Sequence, residues 1–394
     1  MTRRGEGTVT SDSASPAAAV SADATDPARR AGTRWETRLA RRGGTVELLR
    51  LPAALFGAAA RLRGCAYDKG WMHVEALDVP VVSVGNLTSG GTGKTPMVAW
   101  LVSEIARRGL RPGVLSRGYG KSSESATVAD LNDEGLLLKR ELPGLLQVQD
   151  PDRVRGGRAL VERGAEVVLL DDGFQHRRLA RDLDLCLVDA TRPWGLPGTS
   201  DGPPVCAFLP RGLMREPRSG LARADAIVIT RAESADPQVV ESLEAELKAA
   251  SPGTPILHAA HRPRELRDPR GKTHPLGQLD GRAVDLVSAI GNPDAFEASV
   301  TRLGAQVGAH RRFPDHYVYA AGDLDGLGDG RLLVTTAKDA VKLGPLGREF
   351  QALEIELELV RGRSELDALL ESAIAPHGTE RPQRGSQARR GGRG

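Results

Sequence analysis

Two rhythms of apolar residues alternate along this chain. Short continuous aliphatic runs of strand length recur, and stretches with apolar residues at helical spacing stand between them. The first clear run is Val81-Val82-Ser83-Val84. It breaks into a small-residue loop, Gly85-Asn86-Leu87-Thr88-Ser89-Gly90-Gly91-Thr92-Gly93-Lys94-Thr95-Pro96, after which Met97, Val98, Leu101, Val102 and Ile105 share one helical face. Further strands are predicted at 112–116, 145–148, 167–170, 183–188 and 226–230, with helices over 151–163 and 237–250. A polar stretch, 121–140, contains Asn132-Asp133-Glu134-Gly135. Alternating strands and helices predict an α/β fold, a doubly wound parallel sheet in an α/β/α sandwich.

The rhythm resumes in a second, smaller α/β unit from about Arg262. Strands are expected at 284–290, 307–313, 331–335 and 353–360. Helices are expected after Gly291-Asn292-Pro293, from Thr336, and over 364–374. The chain thus divides into a tail (1–35), a segment of its own character (36–70), a larger unit (71–260), a smaller one (261–360), a terminal helix (361–376) and a second tail (377–394). Both tails lack apolar periodicity and are expected to be disordered. The first has no apolar core of the kind a signal peptide needs.

Segment 36–70 is amphipathic and basic. Arg38, Arg41 and Arg42 precede Leu48, Leu51, Leu55 and Leu62, which share a helix face, and Arg61 and Arg63 follow. Its apolar run is too short to span a bilayer. The pattern suits a helix lying in a membrane interface or one packed on its own domain.

Composition narrows the function. The net charge is +3, and residues 377–394 alone hold five Arg and one Glu, so the body is close to neutral. A nucleic-acid-binding body is not indicated. Cys65, Cys186 and Cys206 are odd in number and unclustered, which argues against a disulfide framework or a zinc site.

The chemistry begins at the loop before Met97. A strand that breaks into glycines and ends in Gly-Lys-Thr at a helix start is a phosphate-binding loop (P-loop). Small residues let backbone N–H groups close around phosphate oxygens, and the helix N-terminus adds positive potential. Lys94 would reach the β- and γ-phosphates, and Thr95 would hold Mg²⁺. Thr88 stands where the generic pattern has Gly. Downstream, Val167-Val168-Leu169-Leu170 ends in Asp171-Asp172, a buried strand delivering carboxylates to a metal at the sheet edge. Arg117 is either a phosphate contact or a surface residue. His176 is read as structural.

Taken together, these motifs resemble the tetraacyldisaccharide 4'-kinases of lipid A synthesis. The resemblance runs over about residues 45–360. It rests on the loop, Ser116-Arg117-Gly118-Tyr119-Gly120, Asp171-Asp172-Gly173-Phe174-Gln175-His176, Leu209-Pro210-Arg211-Gly212, Arg215-Glu216-Pro217, Gly291-Asn292-Pro293, Phe313-Pro314-Asp315-His316 and Thr336-Ala337-Lys338-Asp339-Ala340-Val341-Lys342. It implies two α/β/α units joined by a short two-stranded linker. It also implies ATP and Mg²⁺ as cofactors, and an acylated disaccharide 1-phosphate as the lipid acceptor, met at the cytoplasmic face of the bacterial inner membrane. That weights segment 36–70 toward the interface.

By the same resemblance, ATP is held by Thr88, Ser89, Gly90, Gly91, Thr92, Gly93, Lys94 and Thr95, and the metal by Thr95, Asp171 and Asp172. Asp133, His316 and Lys94 are the catalytic set, with Asp133 as base. Asn132-Asp133-Glu134-Gly135 departs from the family's Gly-Asp-Glu-Pro at both flanks, and Ala337 replaces its Glu. The rival reading is a nucleotide switch of the partitioning-ATPase class, but Ser89 occupies that class's signature Lys position. A GTPase reading rests only on Thr230-Arg231-Ala232-Glu233.

Overall fold

The computed structural model describes residues 39–40, 43–118, 131–196 and 204–375. The two tails, Arg38, Arg41 and Arg42 of the basic segment, Tyr119-Gly120 and all of 121–130 in the polar stretch lie outside the described residues. Helix α1 spans Arg50–Asp68. The first strand and helix of the sheet are β1, Val81–Asn86, and α2, Lys94–Arg107. Then come β2 (Pro112–Ser116), α3 (Asp133–Glu141), β3 (Leu146–Gln149), α4 (Arg153–Glu162), β4 (Val167–Asp171), β5 (Leu183–Asp189) and β6 (Ala226–Thr230). Helix α5 (Pro237–Ala250) leads to β7 (Ile256–Arg267), the two-residue β8 (Thr273–His274) and β9 (Ala283–Ser288). The chain ends with α6 (Pro293–Arg302), β10 (Gln306–Arg312), β11 (Leu332–Thr336), α7 (Ala337–Leu343), β12 (Gln351–Arg361) and α8 (Arg363–Ile374).

The strands form one sheet in the order β10-β9-β11-β12-β7-β6-β5-β1-β4-β2-β3, with β8 on the side of β7. Neighbours on the main path are parallel except β7 and β12, which pair antiparallel from Ala352↔Arg267 to Arg361↔His258. This long ribbon joins the two parallel halves. The start of the smaller unit expected near Arg262 falls inside β7, whose inner residues Leu257 to His261 are buried while much of the outer part is open.

Strands β1, β4, β5 and β6 are buried at every residue. That is why they read as unbroken apolar runs: helices cover both faces, so neither face alternates to polar. The α2 stripe packs into the main core, with Met97, Val98, Leu101 and Ile105 at 0% exposure. Helix α8 returns to this half. Leu366, Leu370 and Ala373 join the same core, and Arg363 pairs with the buried Glu104 at 2.7 Å.

Two elements differ from the sequence expectation or sharpen it. Part of the polar stretch is helical, because Asn132 caps α3 by accepting from Gly135 N–H at 2.9 Å, and Leu137 and Leu138 are buried beneath it. In α1 the two readings describe opposite faces. Ala53 and Gly57 are buried, and a Cβ at Gly57 would lie 2.5 Å from Phe208 Cδ2. Leu48, Leu51, Leu55 and Leu62 are 76%, 71%, 64% and 69% exposed. No helix among the described residues is long and apolar enough to cross a membrane.

Candidate functional site

The loop between β1 and α2 is held by its neighbours on three sides. Ser89 N–H donates to Leu213 O at 2.7 Å and Arg215 N–H to Leu87 O at 2.8 Å, so the 209–215 segment zips along one flank. Thr230 Oγ1 donates to Thr92 O at 2.9 Å, and Arg231 donates to Gly91 O at 2.7 Å while pairing with Asp189. The Thr230–Glu233 stretch therefore braces the loop, which accounts for its residues without base reading. From the smaller half, Gly291 abuts the loop so closely that a Cβ there would sit 2.5 Å from Gly91 N. Gly93 has φ 87°, and its Cβ would meet His261 Cε1 at 2.7 Å, so glycine is required twice over.

Lys94 opens α2 and reaches back. Its Nζ donates to Asn86 Oδ1 at 3.1 Å and lies 3.5 Å from Asp172 Oδ1. Asp171 ends β4 and is buried; burial pushes its carboxyl up to about 6, with Lys94 opposing. Its Oδ1 has no hydrogen-bond partner among the described residues. Asp172 has φ 57°. Burial would raise it too, but Lys94 and Arg215 outweigh that and hold it at about 2. Arg215 Nη1 meets both Asp172 oxygens, at 2.7 and 2.9 Å. Gln175 Nε2 donates to Asn86 O at 2.7 Å. His176 is lowered to about 4 by burial and by Arg153 and Arg181, so its ring is neutral.

A second cluster faces the loop from the other side of the cleft. His316, with φ 64°, puts Nδ1 3.3 Å from Asp133 Oδ2. Lys342 Nζ is 3.2 Å from the same oxygen. Lys338 Nζ bridges Glu134 at 2.7 Å and Asp315 at 3.0 Å. Burial opposes the charge on Asp133, yet His316, Lys342 and Lys338 together hold it at about 2. Asp133 in turn raises His316 above the ordinary imidazole value.

One cavity of about 900 Å³ joins the two clusters. Of the residues expected from sequence, Ser89 to Thr95, Asp171, Asp172 and His316 line it. Thr88 does not; it sits behind the loop, bridged to Met214. Nor does Asp133 form the wall, because its Oδ2 is buried between His316 and Lys342; Glu134 does. Arg117 and Ala337 also line the cavity. Sequence reasoning gave no role to Asn86, Arg215, Lys338 or Lys342. The signal for the lysines was their i, i+4 spacing in a helix start, which places both on one face.

The tetraacyldisaccharide-1-P 4'-kinase family model matches residues 45–375. A tetraacyldisaccharide 4'-kinase of Anaeromyxobacter dehalogenans (strain 2CP-1) is 39% identical, covering 83% of this chain and 90% of that one. The Geobacter sulfurreducens tetraacyldisaccharide 4'-kinase is 38% identical, with 75% and 84% covered. The crystal structure of the "apo" form of LpxK from Aquifex aeolicus in complex with ATP matches with a TM-score of 0.65 and 30% identity, over 84% of this chain and 100% of that one. On these grounds the chain belongs to the tetraacyldisaccharide 4'-kinase family.

Proposed function

We propose that this chain transfers the γ-phosphate of ATP to the 4'-hydroxyl of tetraacyldisaccharide 1-phosphate, yielding lipid IVA in lipid A biosynthesis. The observation that carries the reading is the meeting of Lys94 and its loop with His316 on one cavity, each from a different half of the sheet. Family membership supplies the substrate class. A nucleotide switch has no use for the second cluster, so the partitioning-ATPase reading falls behind.

ATP sits on Ser89 to Thr95, with backbone N–H groups of the loop and the α2 N-terminus facing its phosphates. Lys94 neutralises the γ-phosphoryl group as charge moves onto the β–γ bridge. Arg215 holds Asp172 ionised and in place. The donors present fit Mg²⁺: a buried carboxylate oxygen of Asp171 with no hydrogen-bond partner among the described residues, the Thr95 hydroxyl at the start of α2, and Asp172 beside Lys94. When bound, Mg²⁺ supplies further charge neutralisation and aligns the phosphates.

Asp133 accepts the hydroxyl proton on Oδ1 as the halves close on the acceptor, with His316 orienting it through Oδ2. A carboxylate held at about 2 is a weak base. That suffices for a loose phosphoryl transition state, where the acceptor keeps its proton until late and alignment matters more than basicity. Because Asp133 and His316 come from different halves, bringing them together completes the site and excludes water from ATP. The open Leu face of α1 carries the enzyme to its acceptor at a membrane surface. The protein thus works peripherally on the cytoplasmic face of the bacterial inner membrane.

The test is transfer of γ-labelled phosphate from ATP into organic-extractable lipid. The wild type labels the acylated disaccharide 1-phosphate, and Lys94→Met abolishes labelling. Label released only as inorganic phosphate overturns the reading.

A further inference from the structure

We infer that Lys342 is a positioning residue that fixes the Asp133 carboxylate from the smaller half, itself braced from behind by the buried Asp339. The inference rests on the phosphotransfer reading above for its catalytic meaning, but its geometry stands alone. Helix α7 presents Lys338 and Lys342 on one face, four residues apart. Helix α3 opens with two consecutive acids, Asp133 and Glu134. Each lysine takes one acid: Lys338 meets Glu134 at 2.7 Å, and Lys342 meets Asp133 at 3.2 Å.

What distinguishes Lys342 is its backing. Asp339 is 0% exposed and is fixed by two donors on one oxygen: Ala289 N–H at 3.0 Å, from the end of β9, and Thr336 Oγ1 at 2.7 Å, from the α7 cap. Its other oxygen meets Lys342 Nζ at 3.1 Å. A lysine stem is flexible, and a cation left to solvent would sample many rotamers. Here a buried carboxylate anchored to a strand end holds the ammonium in one place. Tyr319 adds its ring face, 5.4 Å from Nζ. The path from β9 through Asp339 and Lys342 to Asp133 is thus continuous, and it uses none of the ATP-binding residues.

The arrangement fixes which oxygen of Asp133 is engaged. Lys342 and His316 both approach Oδ2, from α7 and from the loop after β10. Around Asp133 the charged and titratable groups are His316, Lys342 and Lys338, with Glu134 on its own helix, Asp315 and Asp339 behind the cations, and Tyr319 alongside. Removing Lys342 leaves His316 as the only cation against Oδ2 among the described residues. The carboxylate then leans on His316 and gains a second orientation.

Lys342→Met tests this with two readouts. The expected result is a fall in kcat of about tenfold or more with the KM for ATP within about twofold, since orientation at the acceptor is lost and the P-loop is untouched. Independently of turnover, the His316 ring proton titrates at higher pH in the variant, because a competing cation has left its carboxylate partner. Lys342→Arg, which keeps the charge, restores most of both. If the Met variant does not fold, Lys342→Gln takes its place with the same expectations. A lower melting temperature with unchanged kcat and an unmoved His316 titration overturns the inference. A wild type that phosphorylates no lipid would overturn the phosphotransfer reading instead, and the His316 titration would still decide where Lys342 acts.

Discussion

Replacing Leu51, Leu55 and Leu62 with Gln should detach the protein from lipid vesicles without unfolding it. These side chains are 71%, 64% and 69% exposed in the protein alone, so they contribute little to its core. They recur at helical spacing along α1, so all three would enter a membrane interface together. Complete burial of a leucine side chain is worth about 1.5–3 kcal/mol. With roughly two-thirds of that still available here, each contributes about 1–2 kcal/mol, and the three together at least about 3 kcal/mol. At about 1.4 kcal/mol per tenfold, vesicle partitioning should weaken by about a hundredfold or more. The assay is cosedimentation with vesicles containing anionic lipid, alongside a thermal melt. The reasoning is refuted if the triple variant partitions like wild type. It is also refuted if the variant melts many degrees lower, because the Leu face would then be packed on the protein.

Three further outcomes follow from the site and the sheet. Asp133→Ala should lower kcat by about a hundredfold or more, well beyond Glu134→Ala, and equal losses in steady-state kinetics would remove Asp133 as base. Gly93→Ala forces an L side chain into φ 87° and against His261, a cost of about 1–2 kcal/mol in backbone strain alone, so ATP affinity measured by calorimetry should drop by about tenfold or more. Glu297, hydrogen-bonded by His310 and Arg312, is lowered from 4.5 to about 2. A lowered carboxyl adds stability above its unfolded value and loses it as pH falls through the folded one, so Glu297→Gln should flatten the acid loss of stability between those values in urea titrations.

Much of the fold was legible because burial on both faces leaves an unmistakable mark. Val81 to Val84, Leu183 to Val188 and Ala226 to Thr230 read as strands since nothing in them is free to be polar. Helix α3 was not legible: its buried face is little more than Leu137 and Leu138, too short for a period, and only the Asn132 cap betrays it. Of the β7–β12 ribbon, β12 was expected as a strand at 353–360, whereas β7 hid for the opposite reason. Its outer residues are partly open to solvent, Arg262 pairing there with Glu358, and carry no continuous apolar run. At the site, local chemistry was visible and long-range chemistry was not. Lys94 and Asp171 announce themselves by their neighbours in sequence. Arg215 owes its place to Asp172, forty-three positions away, and Lys342 to Asp133 across the cleft. No local pattern records such pairings.

Where the phosphate goes decides the reaction. The most direct measurement is phosphorus–proton correlation NMR on the lipid recovered after incubating the protein with ATP, Mg²⁺ and acylated disaccharide 1-phosphate. One new phosphomonoester is expected, coupled to the proton on the 4' carbon, with an equal amount of ADP formed. A new phosphate at another position would contradict the acceptor geometry, and ADP with unmodified lipid would contradict the kinase itself.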